Sequence, residues 1–133
     1  MSRPRKHIQP EDVVFLVDTR EKTPLNFKTV RGTKLFNFKT QPATLATGDY
    51  TVMGLETEIC IERKSLADMV QCCYGEDRKR FERELRRMAA FPCRLVVVEA
   101  SWDDIQRGEW RSQIPVDAVK GSLMRWMTWG IPF

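Results

Sequence analysis

The sequence predicts an α/β domain, and three observations carry the prediction. Val13–Val17 and Leu95–Val98 are apolar, β-branched runs too short for helices, as expected of strands buried on both faces. Lys34–Thr40 alternates Leu35, Asn37 and Lys39 against Lys34, Phe36 and Phe38, the pattern of a half-buried strand. Phe81, Leu85, Met88 and Ala89, and later Val116, Val119, Leu123 and Trp126, recur at helical spacing. Strands first, then helices around another buried strand, indicate α/β layers. A chain of 133 residues that is 42% apolar can bury a real core in one domain, which argues against wholesale disorder. Its longest apolar run, Val13–Val17, is far short of the roughly 20 residues a membrane-spanning helix needs.

The elements follow in order. Residues 1–10, with two prolines, three basic side chains and His7, read as a flexible basic arm ahead of a domain over 11–133. The basic start is followed by no apolar stretch, so it is not a secretion signal. The first strand ends abruptly in Asp18-Thr19-Arg20-Glu21. Residues 22–33, with Pro24, Asn26 and Gly32, read as loop, and Pro42–Gly48 as a connector. Tyr50–Met53 and Glu58–Lys64 form a hairpin around Gly54-Leu55-Glu56-Thr57. Ser65-Leu66-Ala67-Asp68 starts a helix with capping-box spacing. A second helix covers Asp77–Ala90 and stops before Pro92, and a third begins at Pro115. The chain stops at Ile131-Pro132-Phe133, where a further strand could begin.

Twenty-two basic against eighteen acidic residues give a net charge of +4, a mild taste for polyanions far short of histone-like neutralisation. Cys60, Cys72, Cys73 and Cys93 include no Cys-x-x-Cys pair, and one histidine cannot complete a zinc site. Four reduced thiols fit an intracellular protein, associated with the nucleoid if the source is bacterial or phage, with no membrane partner.

The hairpin carries the chemistry. A loop over residues 54–57 sets Met53 opposite Glu58, and stepping outward brings Asp49 opposite Glu62, with Cβ atoms about 5 Å apart. Two carboxylates at that distance repel by roughly 3 kcal/mol at an effective dielectric near 20. A bound cation turns that cost into a site. Alternation adds Lys64 beside Glu62 and sends Ile59 and Ile61 to the opposite, core-backed face. Oxygen donors of this kind suit Mg²⁺ or Mn²⁺. The competing reading is a solvated acidic face with a cross-strand ion pair.

Gly48-Asp49, then Glu62-Arg63-Lys64, three residues and Asp68, resemble the signature of the XPF-type structure-specific DNA endonucleases. Val17-Asp18-Thr19-Arg20-Glu21 with Pro24-Leu25 resembles that family's first motif, and Phe81–Leu85 and Leu95–Glu99 sit where it has a helix and a strand. The resemblance spans roughly residues 12 to 130. It implies a restriction-endonuclease-like three-layer fold, a mixed central β-sheet flanked by helices. It also implies Mg²⁺- or Mn²⁺-dependent hydrolysis of phosphodiester bonds in double-stranded or branched DNA, in repair or recombination. By position, Asp49 and Glu62 would be the principal metal ligands and Lys64 the cation facing water or phosphate. Asp18 and Glu21 would be supporting acids, Asp18 near enough to share a metal. Arg20 and Arg63 would contact phosphate or hold the acids in place, and Ser65 and Asp68 would cap the helix beside the site.

The family usually appends a tandem helix-hairpin-helix module and dimerises, and it continues past the position of Phe133. The chain then reads as a C-terminally truncated piece, a homodimer, or a protein that borrows a DNA-binding module from a partner. A catalytically silent DNA-binding or scaffolding relative is the second reading; the presence of Asp18, Glu21, Asp49, Glu62 and Lys64 argues for activity. The basic run Arg78–Arg87 is interleaved with Glu76, Asp77, Glu82 and Glu84, so a solvated, salt-bridged face is expected before a DNA contact. Of the four tryptophans, Trp126 belongs to the core stripe and Trp110 is expected to be the exposed one.

Overall fold

In the computed structural model, which describes residues 7–133, strand β1 (Val14–Asp18) forms where Val13–Val17 is apolar on both faces. It lies inside a five-stranded sheet with β4 (Lys39–Ala43), β5 (Tyr50–Val52), β6 (Ile59–Ser65) and β7 (Cys93–Glu99), after the hairpin β2 (Lys28–Arg31) and β3 (Lys34–Asn37). The sheet order is β4-β1-β5-β6-β7, with β1–β4 and β6–β7 parallel and the two middle pairings antiparallel. This is the mixed sheet expected. Helices α1 (Leu66–Gln71), α2 (Gly75–Met88), α3 (Trp102–Arg107) and α4 (Val116–Met127) flank it. Of the basic arm expected over residues 1–10, Met1–Lys6 lies outside the described residues, and Pro10–Asp12 is a 3₁₀ turn. Among the described residues, no helix is long and apolar enough to cross a membrane.

The main core joins the sheet to its helices. Cys60 and Val96 from β6 and β7 meet Met69 and Val70 of α1, Phe81, Leu85 and Met88 of α2, and Val119, Leu123 and Trp126 of α4. After α4 the chain returns along β7, where Val96 N–H donates to Pro132 O at 2.9 Å. A second, aromatic cluster ties the small hairpin to the sheet. Phe27 stacks on Phe15 at 3.9 Å between ring centres, and Phe38 meets Phe15 edge-on at 5.5 Å.

Several elements differ from expectation. Residues 22–33 are not all loop: Lys28–Arg31 pairs with Lys34–Asn37 around Gly32, whose φ of +64° suits the first central position of a tight hairpin turn. The alternating run Lys34–Thr40 is two strands, because the chain leaves the small hairpin at Phe38 and enters the main sheet beside β1. The connector expected at Pro42 is the end of β4, an edge strand where a residue without an N–H is tolerated. Helix α3, unexpected from the apolar pattern, is set by a capping box in which Ser101 and Asp104 exchange hydrogen bonds. The faces of β6 are also reversed: Cys60 and Glu62 are the deeply buried residues, and Ile59 and Ile61 are half-buried. The covering helices lie on the carboxylate side.

Candidate active site

The expected register is present. Tyr50 pairs with Ile61, and Val17 pairs with Tyr50 on the other side, so Asp18, Asp49 and Glu62 lie at one level on three adjacent strands. Asp49 sits where its ladder ends: its N–H donates to Ile61 O at 2.8 Å and its carbonyl accepts Asp18 N–H at 2.8 Å. Its carboxylate turns toward β6 and accepts Arg63 N–H at 2.8 Å. Gly48 makes that approach possible. Its φ is +79°, and a Cβ there would meet Cys60 Sγ at 2.6 Å and the backbone oxygen of Ile61 at 3.0 Å.

Glu62 is only 4% exposed. Burial, followed by the neighbouring carboxylates of Glu84 and Asp49, pushes its pKa well above the usual carboxylate range. Lys64 Nζ lies 3.1 Å from Glu62 Oε1 and 5.2 Å from the centre of the Phe81 ring. Burial opposes its charge, but Glu62 outweighs it and holds the ammonium protonated. Asp49 is raised as well, by burial first and by Glu21 and Glu84 through space. The carboxylate that the sequence reading missed is Glu84, delivered by α2. Asp77, Phe81, Glu84 and Met88 follow the helical repeat, so Glu84 is an acid on the line that Phe81 and Met88 bury. That misplaced acid was the available signal.

On the other side of β6, Arg63 acts as a brace. It donates to both Glu99 oxygens, at 2.6 and 3.1 Å, and to Glu21 Oε2 at 3.2 Å, Thr23 O at 2.5 Å and Tyr50 Oη at 3.3 Å. These bonds, that to Glu99 foremost, push its pKa up. Of its two expected roles, holding the acids is the one these contacts fill. Glu21 accepts the Tyr50 hydroxyl at 2.7 Å and joins this network rather than touching Glu62. Tyr50 Oη also accepts Leu25 N–H at 3.0 Å, so one hydroxyl links the loop after β1 to β6. Tyr50→Phe is expected to lower stability by about 1–2 kcal/mol, leaving Leu25 N–H short of a partner. The check is a lower urea midpoint with an unchanged m-value.

Asp18, 2% exposed, spends its carboxylate locally. Oδ1 accepts Leu45 N–H at 3.0 Å and Oδ2 accepts Arg20 Nε at 2.7 Å. Burial works against its charge, yet Arg20 and the Leu45 N–H keep its pKa below the ordinary value. Arg20 is the exposed partner of that pair and turns its remaining donors toward solvent and Leu45 O. Ser65 caps α1 by accepting Asp68 N–H at 3.2 Å. The return half of the expected box does not form; the exposed Asp68 instead borders two clefts, of about 320 and 290 Å³. Lys64, Arg80 and Glu84 line the first, and Arg20, Lys22 and Arg63 the second. On α2, Arg78–Glu82, Lys79–Glu76 and Arg80–Asp77 pair as a salt-bridged face should. The exposed tryptophan is Trp102; Trp110 is partly buried, donating to Ile114 O at 2.8 Å.

Among the described residues, no three His, Cys, Asp or Glu side chains close into a ready-made metal cage. Mg²⁺ asks for less: one or two carboxylates, several waters and a substrate phosphate. Asp49, half-buried, and Glu62, buried, both close enough to Glu84 to feel its charge and offering only oxygen donors, fit that demand.

No match was found among curated proteins. The ERCC4 domain family matches residues 17–133, from the end of β1 through every helix. With its mixed sheet and carboxylate centre, the chain therefore belongs to the ERCC4 domain family, a nuclease family of DNA repair.

Proposed function

We propose that this protein is a divalent-cation-dependent endonuclease that hydrolyses phosphodiester bonds of DNA, at branched or junction structures in repair or recombination. The observation that carries the reading is the half-buried Asp49 beside the buried Glu62, with Lys64 Nζ 3.1 Å from Glu62. Crowding carboxyl groups where water is scarce raises the cost of charging them, and a fold keeps such a feature where the charge is used. Asp49 and Glu62 would hold Mg²⁺ or Mn²⁺, with Asp18 a neighbouring acid at the same level of the sheet. The ion, when bound, polarises the phosphodiester and eases deprotonation of the attacking water. Lys64, 3.1 Å from Glu62, presents a positive charge to the phosphate as negative charge builds on it. Arg63 holds Asp49 through its own N–H and keeps Glu21 and Tyr50 in register, so the acids stay placed without substrate. Arg20, exposed beside Asp18, supplies a contact for an adjacent phosphate.

The test is incubation with end-labelled fork, flap and linear duplex DNA in Mg²⁺, Mn²⁺ or EDTA. Cutting of the branched substrates with either metal, and none in EDTA, is expected. DNA binding without cutting under any of these conditions would replace the reading with a silent scaffold, acting as a homodimer or beside an active partner.

A further inference from the structure

The net charge of the chain is not spread evenly. From Lys22 to Gly48 there are five basic residues and no acid, while the rest of the chain carries seventeen basic and eighteen acidic side chains. The whole excess therefore lies in the segment that folds into the β2–β3 ribbon and strand β4. One face of the ribbon packs: Thr29 and Phe36 are half-buried, and Arg31 lies over the Phe36 ring while pairing with Glu11. The other face presents Lys28, Val30, Leu35 and Asn37 to solvent, with Val30 69% and Leu35 59% exposed and directly paired. Lys28, Lys34 and Lys39 have no carboxylate partner among the described residues.

A two-stranded ribbon standing apart is marginal by itself and gains little by holding an apolar pair in water. This one is fixed at its base. Phe27 is wedged between Phe15 and Tyr50, and Phe38 N–H donates to Phe27 O at 2.9 Å. The same Tyr50 hydroxyl binds Glu21 and Arg63, so the base of the ribbon is joined to the acidic centre. A rigid, acid-free ribbon with an apolar crest matches one partner chemistry. The major groove of a duplex admits a two-stranded β-ribbon, is lined by phosphates on both sides, and among its polar base edges offers thymine methyl groups to apolar side chains.

We propose that the β2–β3 ribbon is a second DNA-binding element outside the catalytic centre. Lys28 on the crest face, Lys34 on the opposite face beside the turn and Lys39 at the start of β4 reach phosphates of the duplex arm beside the cut, and Val30 and Leu35 lie in its groove. This rests on the reading of the chain as a DNA nuclease, because the DNA that is cut is the DNA the ribbon meets.

The test is fluorescence anisotropy with a labelled 25-base-pair duplex in EDTA across a salt series, so that binding is read without cutting. The Lys28→Glu/Lys34→Glu variant is expected to bind about tenfold more weakly, with a log–log salt slope shallower by about two. Val30→Ser/Leu35→Ser should bind several-fold more weakly with the slope unchanged. Both changes sit on exposed positions, and thermal melts within about 2 °C of the wild type establish that the fold is kept. Affinities and slopes equal to wild type in both variants would overturn the proposal. So would a wild-type dimer that Val30→Ser/Leu35→Ser splits in sedimentation without loss of DNA affinity, since the crest would then seat a second copy. A chain that binds through the ribbon but never cuts in Mg²⁺ sinks the nuclease reading alone, and one that cuts in Mg²⁺ while both ribbon variants bind like wild type sinks this inference alone.

Discussion

Glu62→Gln is expected to give a metal-free protein about 1–3 kcal/mol more stable than the wild type, and one that cuts DNA about a thousandfold more slowly. The two effects share a cause. Folding buries the Glu62 carboxyl and sets Asp49 and Glu84 beside it, and these together outweigh the attraction of Lys64. The folded state therefore holds a proton on Glu62 at pH values where the unfolded chain, near its ordinary 4.5, has lost it. Stability from this group is fully present below pH 4.5 and is lost progressively as pH rises through the elevated folded value. Glutamine mimics the protonated form at every pH, so urea midpoints of the variant should stay flatter between pH 5 and 8 and exceed wild type most at the upper end. A variant less stable than wild type at pH 8, without added metal, would show that the pair with Lys64 dominates instead.

Gly48→Ala attacks the same centre through the backbone and should lower stability by about 2–4 kcal/mol. An alanine at φ +79° is strained, and its methyl would press on Cys60 Sγ and on the Ile61 carbonyl. The sulfur can rotate away, but the carbonyl belongs to the strand that carries Glu62, so relief must come from movement of residues 47–49. Asp49 moves with them. A displacement of about 1 Å at a reacting group costs on the order of a hundredfold in rate. Cutting should therefore fall even at temperatures where the variant is fully folded, which circular dichroism and single-turnover cleavage on the same sample will separate. Wild-type cutting by a destabilised variant would mean that Asp49 is not positioned by this turn.

The parts of the fold that were legible in sequence are those where one physical signal dominated. Val13–Val17 had no polar residue to mislead, and the stripe Phe81, Leu85 and Met88 admitted only a helix. The register that brings Asp49 beside Glu62 followed from the placement of one four-residue loop, and Tyr50 pairs with Ile61 as that loop requires. Other features depended on tertiary contacts. Alternation along Ile59–Lys64 gives two faces but not which one the helices cover, and the structure buries the face of Cys60 and Glu62 more deeply than that of Ile59 and Ile61. The break at Phe38 is invisible to alternation because both halves of Lys34–Thr40 are extended; only the attachment of the second half to β1 separates them. Lys28–Arg31 looked like loop because Gly32 and Pro24 punctuate it, although the glycine was the turn of a hairpin. Glu84 was readable as charge but not as part of the site, since nothing in α2 alone says that its buried line faces β6.

The site is organised by neighbours on both sides of one strand. Glu62 and Lys64 face α2 and its Glu84, while Arg63 between them points away and ties Glu21, Tyr50 and Glu99 together. The side chains that would meet metal and phosphate are thus held by a network on the opposite face of the sheet.

If Asp49, Glu62 and Lys64 form a catalytic centre and not a solvated acidic face, Asp49 and Lys64 are each needed for cutting DNA but not for binding it. Single-turnover cutting of a labelled flap substrate in Mg²⁺ by wild type, Asp49→Asn and Lys64→Ala, with binding measured in EDTA on the same preparations, tests it most directly. The expected result is cutting reduced about a thousandfold in each variant, with DNA affinity within about threefold of wild type. Undiminished cutting by both variants would contradict the account.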